Sequence, residues 1–213
     1  MIFNHNFLPK LNIQKVDTPD GRFYVTPDGN HYQSVTTLLS KNTSNDIIEW
    51  KNTVGEKESN RIVKHATDRG TALHNGLEQF LLNQTPNITN FFAKAIFKPF
   101  SKILEENVDN IRALEYPLYS DIMKLGGTID LCADWKLQPA VIDFKSSNKL
   151  KNTYEIKNYF IQASMYSYMI EERYELNIPN IVILVGAEFS NFIQVFEEHR
   201  ANFKNDIVKL LKN

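Results

Sequence analysis

The stretch LGGTIDLCADWKLQPAVIDFK, residues 125–145, decides the fold. Read as a strand, its first half alternates Ile129, Leu131, Ala133 and Trp135 with Thr128, Asp130, Cys132 and Asp134, which predicts one apolar and one polar face. Asp130 then points away from the side that Ile129 and Leu131 bury. Residues 136–139 read as a short connection to a second strand, in which Ala140, Ile142 and Phe144 alternate with Val141, Asp143 and Lys145. Pairing the two strands as a hairpin brings Asp130, Asp143 and Lys145 together near the strand ends, where carboxylates can hold a hard cation such as Mg²⁺ or Mn²⁺. A cation so held suits phosphoryl chemistry, with the lysine orienting water or neutralising charge. The competing reading is an amphipathic hairpin with solvated charges. Three charged groups on one face, beside a Gly126-Gly127 pair that lets another backbone come close, favour the site.

Upstream, residues 111–120 read as a strand carrying Glu115, either a third carboxylate or a solvated one, and residues 121–124 as the turn into the central hairpin. Residues 22–35 predict a hairpin around Pro27-Asp28-Gly29-Asn30. Ser34 and Thr36 follow as caps of a short helix, or as hydroxyls for a phosphate at its start. A short helix over 45–54, capped by Ser44 or Asn45, precedes a long one over 56–82. In RGTALHNGLEQFL, residues 69–81, Leu73, Leu77, Phe80 and Leu81 form the buried stripe. His74 and Glu78, four apart at its edge, are either boundary residues or a ligand with a carboxylate one turn away. Residues 89–108 read as an amphipathic helix divided or kinked at Pro99, with Lys94, Lys98 and Lys102 beside four phenylalanines. That mixture suits either a core helix or a grip on a single strand through phosphates and base stacking. After Lys145, Ser146-Ser147-Asn148 leads to a helix over 153–175 carrying Gln162 and Tyr166, then strands over 181–185 and 189–195, then a helix over 197–211.

A length of 213 residues predicts one domain. Its 42% hydrophobic and 23% charged content describes a globular chain, and no apolar run approaches the ~18 residues of a membrane span. The opening MIFNHNFLPKLNIQK lacks the pattern of a secretory or organelle leader, so the cytoplasm is expected. Cys132, the one cysteine, excludes an internal disulfide and a cysteine-held cluster within one chain. A formal net charge of −1 leaves phosphate recognition to a local patch.

In order along the chain, SVTTLL (34–39), RGTALHNGLE (69–78), GGTIDLCADW (126–135), IDFKSS (142–147) and QASMY (162–166) resemble the RecB-type branch of the PD-(D/E)XK nucleases. The resemblance is to the group that holds phage exonucleases and the mitochondrial genome maintenance exonuclease. It implies an α/β core, a mixed sheet flanked by helices, with a mainly helical region (1–110) guiding DNA over a catalytic core (111–213). It also implies that His74, Asp130, Asp143 and the Phe144 carbonyl hold Mg²⁺ or Mn²⁺, that Lys145 is catalytic, and that Gln162 and Tyr166 support the site. Arg69, Thr71, Ser34, Thr36, Ser146 and Ser147 become candidate DNA contacts, with Gly70 allowing a close approach. Two departures stand out: the four-cysteine cluster of some relatives is absent, and Lys145-Ser146-Ser147 replaces the usual Lys-Thr-Ser. The expectation is a metal-dependent exonuclease on single-stranded DNA ends, in host cytoplasm if phage-encoded. The rivals are an endonuclease or duplex-resecting enzyme on the same core, a non-catalytic nucleic-acid-binding module and a phosphohydrolase of small nucleotides. Glu78, Glu115 and Asp134 are the open ligands.

Overall fold

A computed structural model describes residues 2–41 and 44–212, with side chains of 44–47 excepted. The expected cap at Ser44 or Asn45 therefore lies outside the described side chains. The element order is β1 (Gln14–Thr18), β2 (Gly21–Val25), β3 (His31–Ser34), α1 (Val35–Lys41), α2 (Ser44–Val54), α3 (Glu56–Leu81), α4 (Phe91–Asn107), β4 (Val108–Ser120), β5 (Leu125–Trp135), β6 (Gln138–Ser147), α5 (Lys157–Tyr174), β7 (Asn180–Ala187), β8 (Ile193–His199) and α6 (Lys204–Lys212).

The eight strands form one mixed sheet. β4 pairs with one edge of β5. The other edge of β5 is shared: Leu125 and Gly126 pair with β3, and Leu131 through Trp135 pair with β6. Beyond β6 the sheet continues through β7, parallel, and β8, antiparallel. Between Gly126 and Leu131, therefore, β5 has no strand on that side. This gap positions everything that follows.

Helices cover both faces. On one, α5 and α1 pack Phe160, Met165, Met169 and Val35 against Ile129, Val141 and Ile183. On the other, α3 and α4 pack Leu73, Leu77, Leu81, Ile96 and Phe100 against Leu131, Ile142 and Leu184. Leu73, Leu77 and Leu81, four apart, make the inward row of α3 that its sequence periodicity requires. Asn90 caps α4, its side chain accepting from Ala93 N at 3.0 Å, and α4 runs on through Pro99 as one element.

Four sequence expectations need correction. The closing helix does not begin at 197: β8 reaches His199 and a single 3₁₀ turn, Arg200–Phe203, precedes α6. The alternation from Ile193 onward is satisfied by pairing with β7, and this outweighs the helical tendency of its glutamates. α5 starts at Lys157, after a turn, rather than at 153. A further strand, β1, joins the expected 22–35 hairpin. Its sequence QKVDT is exposed throughout and gives no apolar period to find. Finally, β5 does not have one solvated face, since Cys132 is fully buried. Ile129 and Leu131 pack on opposite sides of the sheet, as do their partners Tyr116 and Leu114 on β4. Glu115 lies between the last two at φ 43, a left-handed residue that reverses the alternation.

The hairpin between β5 and β6 turns on Lys136 (φ 49) and Leu137 (φ 66), the geometry of a type I′ turn built from residues ill suited to it. Leu137 is 86% exposed, so its side chain contributes no burial. Leu137→Gly is expected to stabilise the fold by about 1 kcal/mol, read as a higher urea midpoint with unchanged slope. An unchanged or lower midpoint would show that the turn is not strained.

Candidate metal centre

Where β6 runs on past Ile142 without β5, the backbone of Phe144 has lost its strand partner on that side and must bond elsewhere. Its N–H donates to Asp130 Oδ2 at 2.8 Å, and its carbonyl lies 3.0 Å from His74 Nε2. The other imidazole nitrogen, Nδ1, is 3.1 Å from Glu115 Oε1 and 3.7 Å from Asp130 Oδ1. Three chain segments thus meet at the gap: α3 brings His74, the left-handed residue of β4 brings Glu115, and β5 brings Asp130. One ligand atom from each lies within 4.8 Å of the others.

Burial works against a charge on His74, but the carboxylates of Asp130 and Glu115 more than offset it and push the imidazole up to about 9. In the metal-free protein the imidazolium bridges these carboxylates and the Phe144 carbonyl, a cation held by oxygen acceptors. The two carboxylates and the imidazole nitrogen that faces them also form a donor set that a divalent ion accepts, whereas the Phe144 carbonyl, expected as a further ligand, lies against the ring's other nitrogen and outside this set.

Asp143 and Lys145 lie beside this group, on the face toward α5. Asp143, expected as a ligand, is not among the three residues that cluster, and Glu115 takes that place. Lys145 Nζ is 2.5 Å from Asp143 Oδ2, and Gln162 Nε2 is 3.4 Å from Oδ1. Burial pushes Asp143 up to about 6 against the pull of Lys145. Burial also opposes the charge on Lys145, and Asp143 keeps it an ammonium. Its Nζ sits 5.1 Å from the Tyr159 ring centre. Gln162 Nε2 is 3.3 Å from the buried Tyr166 hydroxyl, which sets Tyr166 behind Gln162 and Gln162 behind Asp143.

The paired glycines serve side chains rather than a backbone. A Cβ on Gly127 would strike the Tyr166 ring, and one on Gly126 the Tyr24 ring. Tyr24 is buried by this packing, and its hydroxyl lies 2.8 Å from Thr128 Oγ1. Sequence reading did not single out Tyr24, because its spacing from the glycines carries no local signal.

A cleft of about 700 Å³ opens over the group, lined by Lys15, Arg22, Gly70, Thr71, His74, Glu78, Glu115 and Thr128. Thr71 is exposed there. Lys15 and Arg22 were not anticipated, since they come from the β1–β2 hairpin. Burial, and then Glu115, raise the pKa of Glu78, a neighbour of the cluster rather than a member. Asp134 is removed from it, bonded to Arg112 at 2.8 Å and to Asn110 at 3.0 Å.

Arg69 is not available to DNA. It is buried in an ion pair with Glu188. Ser34 is buried as the cap of α1, accepting from Thr37 N at 3.0 Å, and exposed Thr36 lies 3.0 Å from its hydroxyl. Neither lines the cleft. Ser147 is also buried, its hydroxyl accepting from Lys149 N at 3.2 Å. Ser146 is half-buried beside Gly70, where a Cβ would meet its hydroxyl at an ordinary 3.7 Å. Burial pushes the Cys132 thiol up to about 12, which leaves it inert.

No family model and no curated protein matches the chain. A solved structure described as "Crystal structure of SSO0001" is similar at a TM-score of 0.37 and 14% identity, over 78% of this chain and 68% of that one. Among the described residues no helix is long and apolar enough to cross a membrane.

The raised His74 pKa makes a stability prediction. An imidazole at about 9 when folded and near 6.5 when unfolded adds stability that is complete below pH 6.5 and lost as pH rises through 9. The Asp143 penalty develops between its ordinary 3.8 and about 6, so it is constant across that window. In EDTA, stability is expected to fall by about 2 to 3 kcal/mol from pH 6.5 to 9, and His74→Asn is expected to flatten that dependence. Parallel urea midpoints for the two proteins would refute it.

Proposed function

We propose that this protein is a metal-dependent nuclease that hydrolyses phosphodiester bonds of DNA, acting from single-stranded ends. The observation that carries the reading is the gap in the sheet. It assembles His74, Glu115 and Asp130 within 4.8 Å and sets the Asp143–Lys145 pair beside them. The sequence resemblance to PD-(D/E)XK nucleases points the same way.

A Mg²⁺ or Mn²⁺ ion held by His74, Glu115 and Asp130 would supply charge neutralisation at the phosphate and a more acidic attacking water. The chain's own residues do the rest. Lys145, half-buried and kept charged by Asp143, offers a positive charge to an oxyanion developing on phosphorus. Gln162 and Tyr166 fix the carboxylate that holds it. In the cleft, Lys15, Arg22 and Thr71 receive backbone phosphates. Arg22 is engaged by Asp17 at 2.7 Å, an exposed pair that costs little to exchange for a phosphate.

A second reading is favoured by the Phe144 hydrogen bonds: His74 and Asp130 already satisfy backbone groups, and that work alone would suit a non-catalytic binding module. The test is degradation of end-labelled linear and circular single-stranded DNA, with Mg²⁺ or Mn²⁺ and in EDTA. Linear-only, metal-dependent cutting is expected, lowered at least 100-fold by Lys145→Met and to a similar degree by Asp143→Ala, with urea midpoints confirming that both variants fold. Cutting of circles would indicate an endonuclease. Binding without cutting in either metal would leave the binding module.

A further inference from the structure

Toward the amino end of α3, nine residues and so ~13 Å of helix from His74, four rings meet at the surface. His65 contacts Phe92 at 4.8 Å, Phe91 contacts Phe92 at 5.4 Å, and Phe92 contacts Phe189 at 5.9 Å, each pair close to perpendicular. Phe91 is 74% exposed and Phe189 87%. Phe189 is moreover held at φ 63, a left-handed conformation costing a non-glycine residue roughly 1–2 kcal/mol. A large apolar ring that is both strained and left in water does nothing for the core.

The segment that presents Phe189 is anchored beside the site. Glu188 N donates to Ser147 O at 2.8 Å, which ties it to the end of the strand bearing Asp143 and Lys145. The Glu188 carboxylate pairs with buried Arg69 and lies 3.6 Å from His65 Nδ1, which ties it to the helix bearing His74. Arg69 is therefore a positioning residue for the aromatic surface.

Positive charge flanks the rings. Lys98 and Lys102 line a hollow of about 510 Å³ with Phe189, Ser190 and Asn191. Among the described residues Lys98 has no carboxylate partner, and Lys102 has only Glu106 at 4.0 Å. Exposed π-faces interleaved with ammonium groups suit a polymer of stacked bases on a phosphate chain.

The geometry points to a single-strand platform, with bases stacking on Phe91 and Phe189 and phosphates meeting Lys98 and Lys102, that holds DNA running to the His74 cluster. Its placement next to a cutting site rests on the nuclease reading. Its binding does not.

Binding is measured by fluorescence anisotropy in EDTA, where no cutting occurs, using labelled oligo-dT and an abasic oligomer of equal length. Phe91→Ala with Phe189→Ala is expected to weaken oligo-dT binding about 10- to 100-fold and leave the abasic oligomer unaffected, whereas Phe189→Trp retains binding. Lys98→Gln with Lys102→Gln is expected to weaken both and lower the salt slope by about 1 to 2. The platform is overturned if the aromatic variant binds oligo-dT like wild type, if both oligomers weaken equally, or if wild type binds neither. Unchanged DNA binding with a changed sedimentation coefficient would assign the rings to self-association, and also overturns it. The nuclease reading fails separately: wild type that binds through the platform yet cuts nothing in Mg²⁺ or Mn²⁺ refutes only that reading.

Discussion

The structure depends on how Phe144 satisfies its backbone. β6 continues past the point where β5 leaves it, and a buried strand there has an N–H and a carbonyl that must be bonded. Asp130 takes the first and His74 the second. Because one comes from the departing strand and the other from a helix on the covering layer, that single residue ties sheet to helix. The alternative, an unsatisfied buried amide, costs about 1–3 kcal/mol for each group. The same hydrogen bonds hold two prospective ligands, Asp130 and His74, against one strand residue.

Much of this was legible in the sequence and some was not, for physical reasons. The strands of residues 125–145, the short turn between them and the shared face of Asp143 and Lys145 follow from a two-residue period. For Glu115 the sequence leaves a third carboxylate and a solvated one both open, since a regular strand does not fix whether it reaches Asp130. Its left-handed φ of 43 breaks the period and brings it there. Arg69 is a candidate DNA contact only through the family resemblance. Its partner, Glu188, is 119 residues away, and only the folded chain pairs them. Lys15 and Arg22 share that difficulty, since a polar exposed hairpin carries no periodic signal and its position over the cleft is set by β3 pairing with β5.

Burial on both faces of β5 also explains why the charges of the site remain strong. Asp143 and Lys145 are screened by α5 on one side, and His74 is placed by the leucine row of α3 on the other. In such surroundings charged groups interact at a lower effective dielectric constant than on a surface. The cost of taking them from water is met by the packing of two separate apolar layers, which does not depend on the charges themselves.

The gap in β5 gives the sheet a further edge, one inside the protein. Outer edges are commonly kept from recruiting stray strands by charge, proline or a bulge. Here the Tyr166 ring lies on Gly127, the Tyr24 hydroxyl on Thr128, and the Asp130 carboxylate reaches across to Phe144. The slot is closed by side chains that also build the site. Closing the edge and holding the cluster are therefore coupled at these positions: a substitution that empties the slot uncovers a strand template in the middle of the molecule and loosens the His74–Glu115–Asp130 group as well.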